Sequence, residues 1–233
     1  NHALRMIATD VSTRYRDRVS SLDKICGYIK QTLEKKKGHY MIFFPSYKYM
    51  QDTYEHFLER QGTGVEYLAD EVKNEYQVKH MKMGDFTLYK QDMSMSEEER
   101  EAFLKHFEEE GVSTLNFCVL GGIFSEGIDL TGEKLIGVMI VGVGLPQIGL
   151  ERDLIKGYFD EVGKEGYHYA YTYPGINKVL QAIGRLIRTE EDRGTVLLID
   201  DRYRMPFYQN LLPHAYEWVK NPNEMQTKLI NFW

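Results

Sequence analysis

Apolar positions along the chain alternate between short continuous runs and runs spaced three to four residues apart, as expected of a parallel sheet covered by helices. LNFCVL (115–120) and LIGVMIVGV (135–143) are short and almost wholly apolar, so they read as central strands, and HYMIFFPS (39–46) reads as a strand broken by Pro45. GTVLLIDDRY (194–203) supplies a further strand, and VEYLAD (65–70) a short one.

Helical spacing appears between the strands. SSLDKICGYIKQTLEKKKG (20–38) sets Leu22, Ile25, Ile29 and Leu33 on one face, with Ser21 as N-cap and Gly38 as terminator. KYMQDTYEHFLERQG (48–62) is the next helix. SMSEEEREAFLKHFEEEG (94–111) opens on a capping box, Ser96 with Glu99, and stops at Gly111. PGINKVLQAIGRLIR (174–188) is a helix with Pro174 near its first turn. The pattern fails over about 148–173, which reads as an irregular, tyrosine-rich insertion. There Tyr167, Tyr169, Tyr171 and Tyr173 suit an extended segment that packs half its rings or offers them to bases. The resulting division is an N-terminal strand and helix (1–38), a main α/β domain (39–212) and a helical tail (213–233).

Composition narrows the classes. At 233 residues and 42% hydrophobic, the chain is long enough for one sizeable core. Two cysteines, far apart, cannot form a four-cysteine metal or iron–sulfur site, and their scarcity suits a reducing compartment. No apolar run has membrane-spanning length, so no membrane partner is expected. The opening NHALRMIATD reads as mid-domain text, and we expect a piece of a longer protein. A net charge of −6 argues against coating nucleic acid through bulk positive charge, so phosphate binding must be local. Arg185, Arg188, Arg193, Arg202 and Arg204 crowd into a short C-terminal region and make one candidate basic patch, and a solvated surface is the ordinary explanation for the last three.

Candidate chemistry gathers in the octapeptide QAIGRLIR (181–188). Ile176, Val179, Leu180, Ile183 and Ile187 make an apolar stripe, while Gln181, Gly184, Arg185 and Arg188 share the opposite face. A glycine inside a helix costs about 1 kcal/mol relative to alanine, so Gly184 suggests a close approach. Two guanidinium forks one turn apart suit a phosphoryl group or a carboxylate. GGIFSEGIDLTG (121–132) follows a buried strand, where ligands of open α/β sheets bind; its turn offers backbone N–H groups, and Glu126 and Asp129 offer acceptors. No G-x-x-x-x-G-K-[ST] occurs, so the chain lacks its own phosphate cradle. GVGLPQIG (142–149) begins like a dinucleotide loop, but Gln147 replaces the third glycine and Pro146 interrupts the helix start, against a nicotinamide enzyme.

Taken in order, these segments resemble a known family. Q-x-x-G-R-x-x-R at 181–188 resembles motif VI of superfamily 2 helicases, and GGIFSEGIDLTG with the strand ending GVGLP resembles motif V. FFPSY (43–47), TRYRDR (13–18) and GTVLLIDDRY are similar to the XPD/DinG-like, Rad3-related branch, and the likeness runs from about Thr13 to Arg204. The resemblance implies a RecA-like fold, the second motor domain of an ATP-dependent DNA helicase, and a composite ATPase site. Arg185 and Arg188 would reach the γ-phosphate, with Gln181 coupling nucleotide state to closure. Glu126, Gly127, Asp129 and Gly184 would lie near the nucleotide, and Ser46 and Tyr47 near single-stranded DNA.

ATP and Mg²⁺ would be held mainly by an absent first RecA-like domain of the same polypeptide. Any iron–sulfur cluster would belong to the parent. The expectations are therefore a chain inactive alone, monomeric, and cytoplasmic in a bacterial source. The rival reading is a non-catalytic RecA-like module that binds single-stranded DNA or protein.

Overall fold

The computed structural model describes residues 2–68, 72–73, 76–77, 80–109, 111–124, 135–184, 186 and 193–233. The strands are β1 (Ala3–Ala8), β2 (His39–Phe44), β3 (Val65–Leu68), β4 (Val72–Lys73), β5 (Tyr76–Gln77), β6 (His80–Met83), β7 (Phe86–Lys90), β8 (Ser113–Val119), β9 (Gly137–Val141), β10 (Gly194–Ile199) and β11 (Glu217–Val219). The helices are α1 (Arg18–Leu33), α2 (Tyr47–Gln61), α3 (Glu97–Lys105), α4 (Leu150–Glu161), α5 (Tyr173–Ile183), α6 (Pro206–Leu211) and α7 (Pro222–Phe232).

Nine strands form one sheet in the order β11-β1-β10-β9-β2-β8-β7-β6-β3, and β4 pairs with β5 separately. From β11 to β7 every pairing is parallel, while β6 and β3 add an antiparallel edge. Every residue of β2, β8, β9 and β10 is buried, which explains their nearly unbroken apolar character. The two-residue period then divides them. Tyr40, Ile42 and Phe44 enter one core with α1, α2 and α7, whereas Met41 and Phe43 enter the other with α3, α5 and α6. Phe117 on β8 anchors the first core, stacked on Phe44 at 6.0 Å and met edge-on by Tyr54 at 5.1 Å.

Helix ends follow local chemistry with some shifts. The capping box at Ser96 and Glu99 forms in both directions, at 3.2 and 2.7 Å. The helix it starts ends at Lys105, ahead of Gly111. Ser21 is not an N-cap: α1 starts at Arg18, and the Ser21 hydroxyl donates to the Arg18 carbonyl at 2.7 Å. The hairpin β6–β7, which no pattern suggested, turns at Gly84 with φ +55°.

The segment 148–173 is helical where irregular structure was expected. Residues 150–161 form α4, and a π-helical turn, His168–Thr172, leads into α5. Helical geometry therefore pairs the tyrosines by fours. Tyr167 stacks on Tyr171 at 5.1 Å, and Tyr169 packs on Phe159 at 4.0 Å and meets Tyr173 edge-on. Between the N-terminal and C-terminal elements, β1 lies inside the sheet beside β10, and the last residues supply β11 as well as α7.

Candidate functional site

Because β1, β2, β9 and β10 are parallel, their carboxyl ends open on one edge of the sheet, and a cleft of about 960 Å³ lies there. Its walls come from the segments that follow those strands: residues between Thr13 and Val19 after β1, Pro45 and Ser46 with one face of the first turns of α2 after β2, Gly142 to Ile148 after β9, and Arg202 after β10. Asp153 and Lys156 of α4, with Tyr167 and Tyr171, close the remaining side. Both α1 and α2 begin at this cleft, so two helix N-termini lend it partial positive charge.

A buried ion pair braces the cleft between distant parts of the chain. Asp200 is wholly buried and accepts from Arg202 Nε and Nη2, each at 2.8 Å, and from the Arg202 backbone at 2.8 Å. Thr13, 187 residues away, donates its hydroxyl to the same carboxylate, and Arg202 Nη2 donates to that hydroxyl at 3.1 Å. Burial alone would raise the Asp200 pKa. The hydrogen bonds and charge of Arg202, with Thr13, outweigh it and hold the carboxyl below its ordinary value. Next to this pair, Arg14 reaches Asp201 at 2.5 Å, and the Tyr203 hydroxyl donates to the Gly142 carbonyl at 2.9 Å. TRYRDR and DDRY, remote in sequence, are thus one unit.

Ser46 caps α2, accepting from the Tyr49 amide at 3.4 Å, and faces the cleft. Tyr47 does not line it. Its ring packs against the core, its hydroxyl accepts from Gln91 at 2.8 Å, and burial raises its pKa. Neither thiol is poised for chemistry: burial pushes Cys26 up to about 12 and Cys118 well above its ordinary value. Among the described residues, no group of three or more His, Cys, Asp and Glu could hold a metal ion.

The second candidate region begins on α5. Its first turn is locked to the cleft loop: Gly144 has φ +70°, and a Cβ there would collide with the Gly175 carbonyl oxygen. A Cβ on Gly175 would in turn lie 2.8 Å from the Val143 carbonyl oxygen. Gln181 and Gly184, both exposed, lie roughly two turns further on. The described helix ends at Ile183, so Gly184 closes it and is not in its interior. A Cβ on Gly184 would make only ordinary contacts, 3.4 and 3.5 Å from the Leu180 and Gln181 carbonyls, so no described neighbour demands glycine. Arg185, Arg188, Glu126, Gly127 and Asp129 lie outside the described residues.

The remaining arginines of the basic concentration do not form a patch. Arg202 is in the buried pair, Arg204 is exposed, and Arg193 lies over the Phe232 and Trp233 rings at 4.7 and 5.7 Å. Proximity in sequence scatters here because a strand and a tight 3-10 turn separate the three. Asp200, with its partners Thr13 and Arg202, was not foreseen. The only available signal was the likeness of both flanking segments to one family.

Residues 29–218 match the family described as Helicase C-terminal domain. A "Probable ATP-dependent helicase" of Methanocaldococcus jannaschii is 27% identical over 180 residues, 73% of this chain and 24% of that protein. An ATP-dependent DNA helicase DinG of Photobacterium profundum is 33% identical over 109 residues, 46% of this chain and 16% of that protein. The solved structure of an XPD helicase superposes with a TM-score of 0.66 at 21% identity, covering 94% of this chain and 35% of that one. The chain therefore spans a quarter or less of the length of these two relatives. Relatives include archaeal and eukaryotic as well as bacterial proteins, which does not support the expectation of a bacterial source. No helix among the described residues is long and apolar enough to cross a membrane.

Proposed function

Since the chain belongs to the helicase C-terminal domain family, on its XPD/DinG-like branch, we propose that it is the second motor domain of an ATP-dependent DNA helicase. Arg185 and Arg188 act as fingers on the γ-phosphate of an ATP whose phosphates and Mg²⁺ are held by a first motor domain carrying the Walker motifs. Gln181 reports nucleotide state, and Glu126, Gly127, Asp129 and Gly184 line the nucleotide side. Single-stranded DNA runs through the cleft, where Ser46 rather than Tyr47 meets it. The assembly works as a monomer in the cytoplasm.

The observation that carries this reading is the seating of α5. The helix that leads into Q-x-x-G-R-x-x-R is locked at its first turn to the loop after β9, through Gly144 and Gly175, and that loop is a wall of the cleft. A rigid helix so anchored transmits a displacement at one end to the other. ATP between the two domains gains charge-assisted bonds from both, which draws them together, and hydrolysis removes that advantage. Strand held in the cleft is then moved by hinge closure and opening.

The test is ATP hydrolysis by this chain alone and by the full-length parent, with and without single-stranded DNA. Only the parent should turn over, with DNA stimulating it. Arg188→Ala should lower the parent's rate about 10³-fold or more while strand binding persists. Hydrolysis by this chain alone would contradict the composite site. Unchanged activity in Arg188→Ala would leave a non-catalytic module for single-stranded DNA or protein.

A further inference from the structure

The basic side chains of the cleft are not equivalent. Arg14, Lys48, Lys156 and Arg202 each face a carboxylate, those of Asp201, Asp52, Asp160 and Asp200, at 2.5 to 2.9 Å. Arg18 differs: among the described residues no carboxylate forms an ion pair with it. Its Nη1 donates to the Ser46 hydroxyl at 3.4 Å and its Nε to the Thr13 carbonyl at 3.5 Å, both at the outer limit of hydrogen bonding. Its guanidinium carbon lies 4.8 Å from the centre of the Tyr49 ring and 5.5 Å from that of Tyr15.

These neighbours define the geometry of the guanidinium. Tyr49 is buried, with its hydroxyl 2.5 Å from that of Ser21, so the platform under Arg18 is fixed. Tyr15, by contrast, is 86% exposed, although its ring stands in the cleft wall. Ser46 accepts from both Arg18 and the Tyr49 amide, which leaves its own proton for an incoming acceptor. The group is therefore a charged fork with weak internal partners, a hydroxyl with a donor to spare and an aromatic face open to solvent. A phosphodiester satisfies the first two, and a base, which has a π-face whatever its identity, satisfies the third.

We propose that Arg18, Ser46 and Tyr15 form a one-nucleotide subsite, in which Arg18 and Ser46 hold a backbone phosphate and Tyr15 stacks the adjoining base. The inference rests on the reading of the cleft as the single-strand track, and assigns within it which residues grip and which stack. Phosphate contacts and stacking differ in their response to salt. A phosphate contact releases counterions and contributes about 0.7 to the slope of log affinity against log salt for a single strand; stacking contributes to affinity and leaves the slope alone.

The experiment is fluorescence anisotropy of a labelled oligothymidylate with this chain and its variants over a salt series, after thermal unfolding has confirmed that each variant is folded. Arg18→Gln should reduce the slope by about 0.7, and Arg18→Lys should retain it. Tyr15→Ala should weaken binding by about 5- to 100-fold at every salt concentration with the slope unchanged, and Tyr15→Phe should bind like the parent. Normal binding by the parent with no effect of either Arg18→Gln or Tyr15→Ala would overturn the subsite and leave the strand track standing. Failure of the parent chain itself to bind would overturn both.

Discussion

The cleft and the far end of α5 are constructed on opposite principles. In the cleft, several polar groups are tied to partners from remote parts of the chain: Asp200 holds Thr13, Asp201 holds Arg14, and Tyr203 donates to the Gly142 carbonyl. At the end of α5, Gln181 and Gly184 stand exposed, and no described neighbour requires the glycine. The described groups of the cleft's brace find their partners within this chain, whereas the α5 end presents Gln181 and Gly184 outward. In the proposed function the difference has a use: a surface that carries a strand through repeated cycles has to keep its shape, and a nucleotide site shared between domains works only if one half of it can separate from the other.

The contrast predicts where substitutions act. The largest effect on folding should come from Asp200→Asn, which leaves Arg202 buried against a neutral partner; breaking such a pair typically costs about 3–5 kcal/mol. Urea unfolding at neutral pH measures it. The same variant tests the pH dependence. Because the Asp200 pKa is lowered on folding, its stabilisation is complete above the unfolded value of roughly 3.9 and disappears as pH falls through the lower folded value. The parent should therefore lose stability below about pH 4, and Asp200→Asn should lose less there. Equal stability and an equal acid slope would mean that the brace carries no load.

Gly144→Ala comes next. It combines a positive φ with a collision against Gly175, and should cost about 1–3 kcal/mol while shifting α5 away from the loop. If α5 links the two regions, the corresponding variant of the full-length parent should bind single-stranded DNA but lose its stimulation of ATP hydrolysis. Normal stimulation would separate the regions mechanically. The smallest effect belongs to Ser46→Ala, which removes an N-cap worth about 1 kcal/mol and one arm of the proposed subsite. Denaturation should show the first loss and strand binding at fixed stability the second.

Much of the fold was legible because burial on both faces of a parallel sheet demands unbroken apolar runs, and β2, β8, β9 and β10 have them. The capping box at Ser96 was equally legible, since both of its hydrogen bonds are local. Residues 148–173 were not. Leu150, Leu154 and Tyr158 do recur at helical spacing, but all three are exposed, and Gly149 and Gly157 blur the signal. The cleft was legible only in part. Ser46 lines the cleft, Tyr47 faces away because the start of α2 turns its ring against the core, and Arg18, Tyr15 and Asp200 carry no local signal of their places there.

By itself, the sequence determined the period of each element, the burial of the central strands and the identity of the octapeptide that marks the family, because each depends on residues close together along the chain. The tertiary structure alone decided that Thr13 meets Asp200, that α5 is keyed to the loop after β9 and that Arg18 faces Ser46 and Thr13 with no carboxylate paired to it among the described residues. Those outcomes depend on strand order, β1 beside β10 and β10 beside β9, and the periodicity of individual elements does not encode the order in which a sheet assembles them.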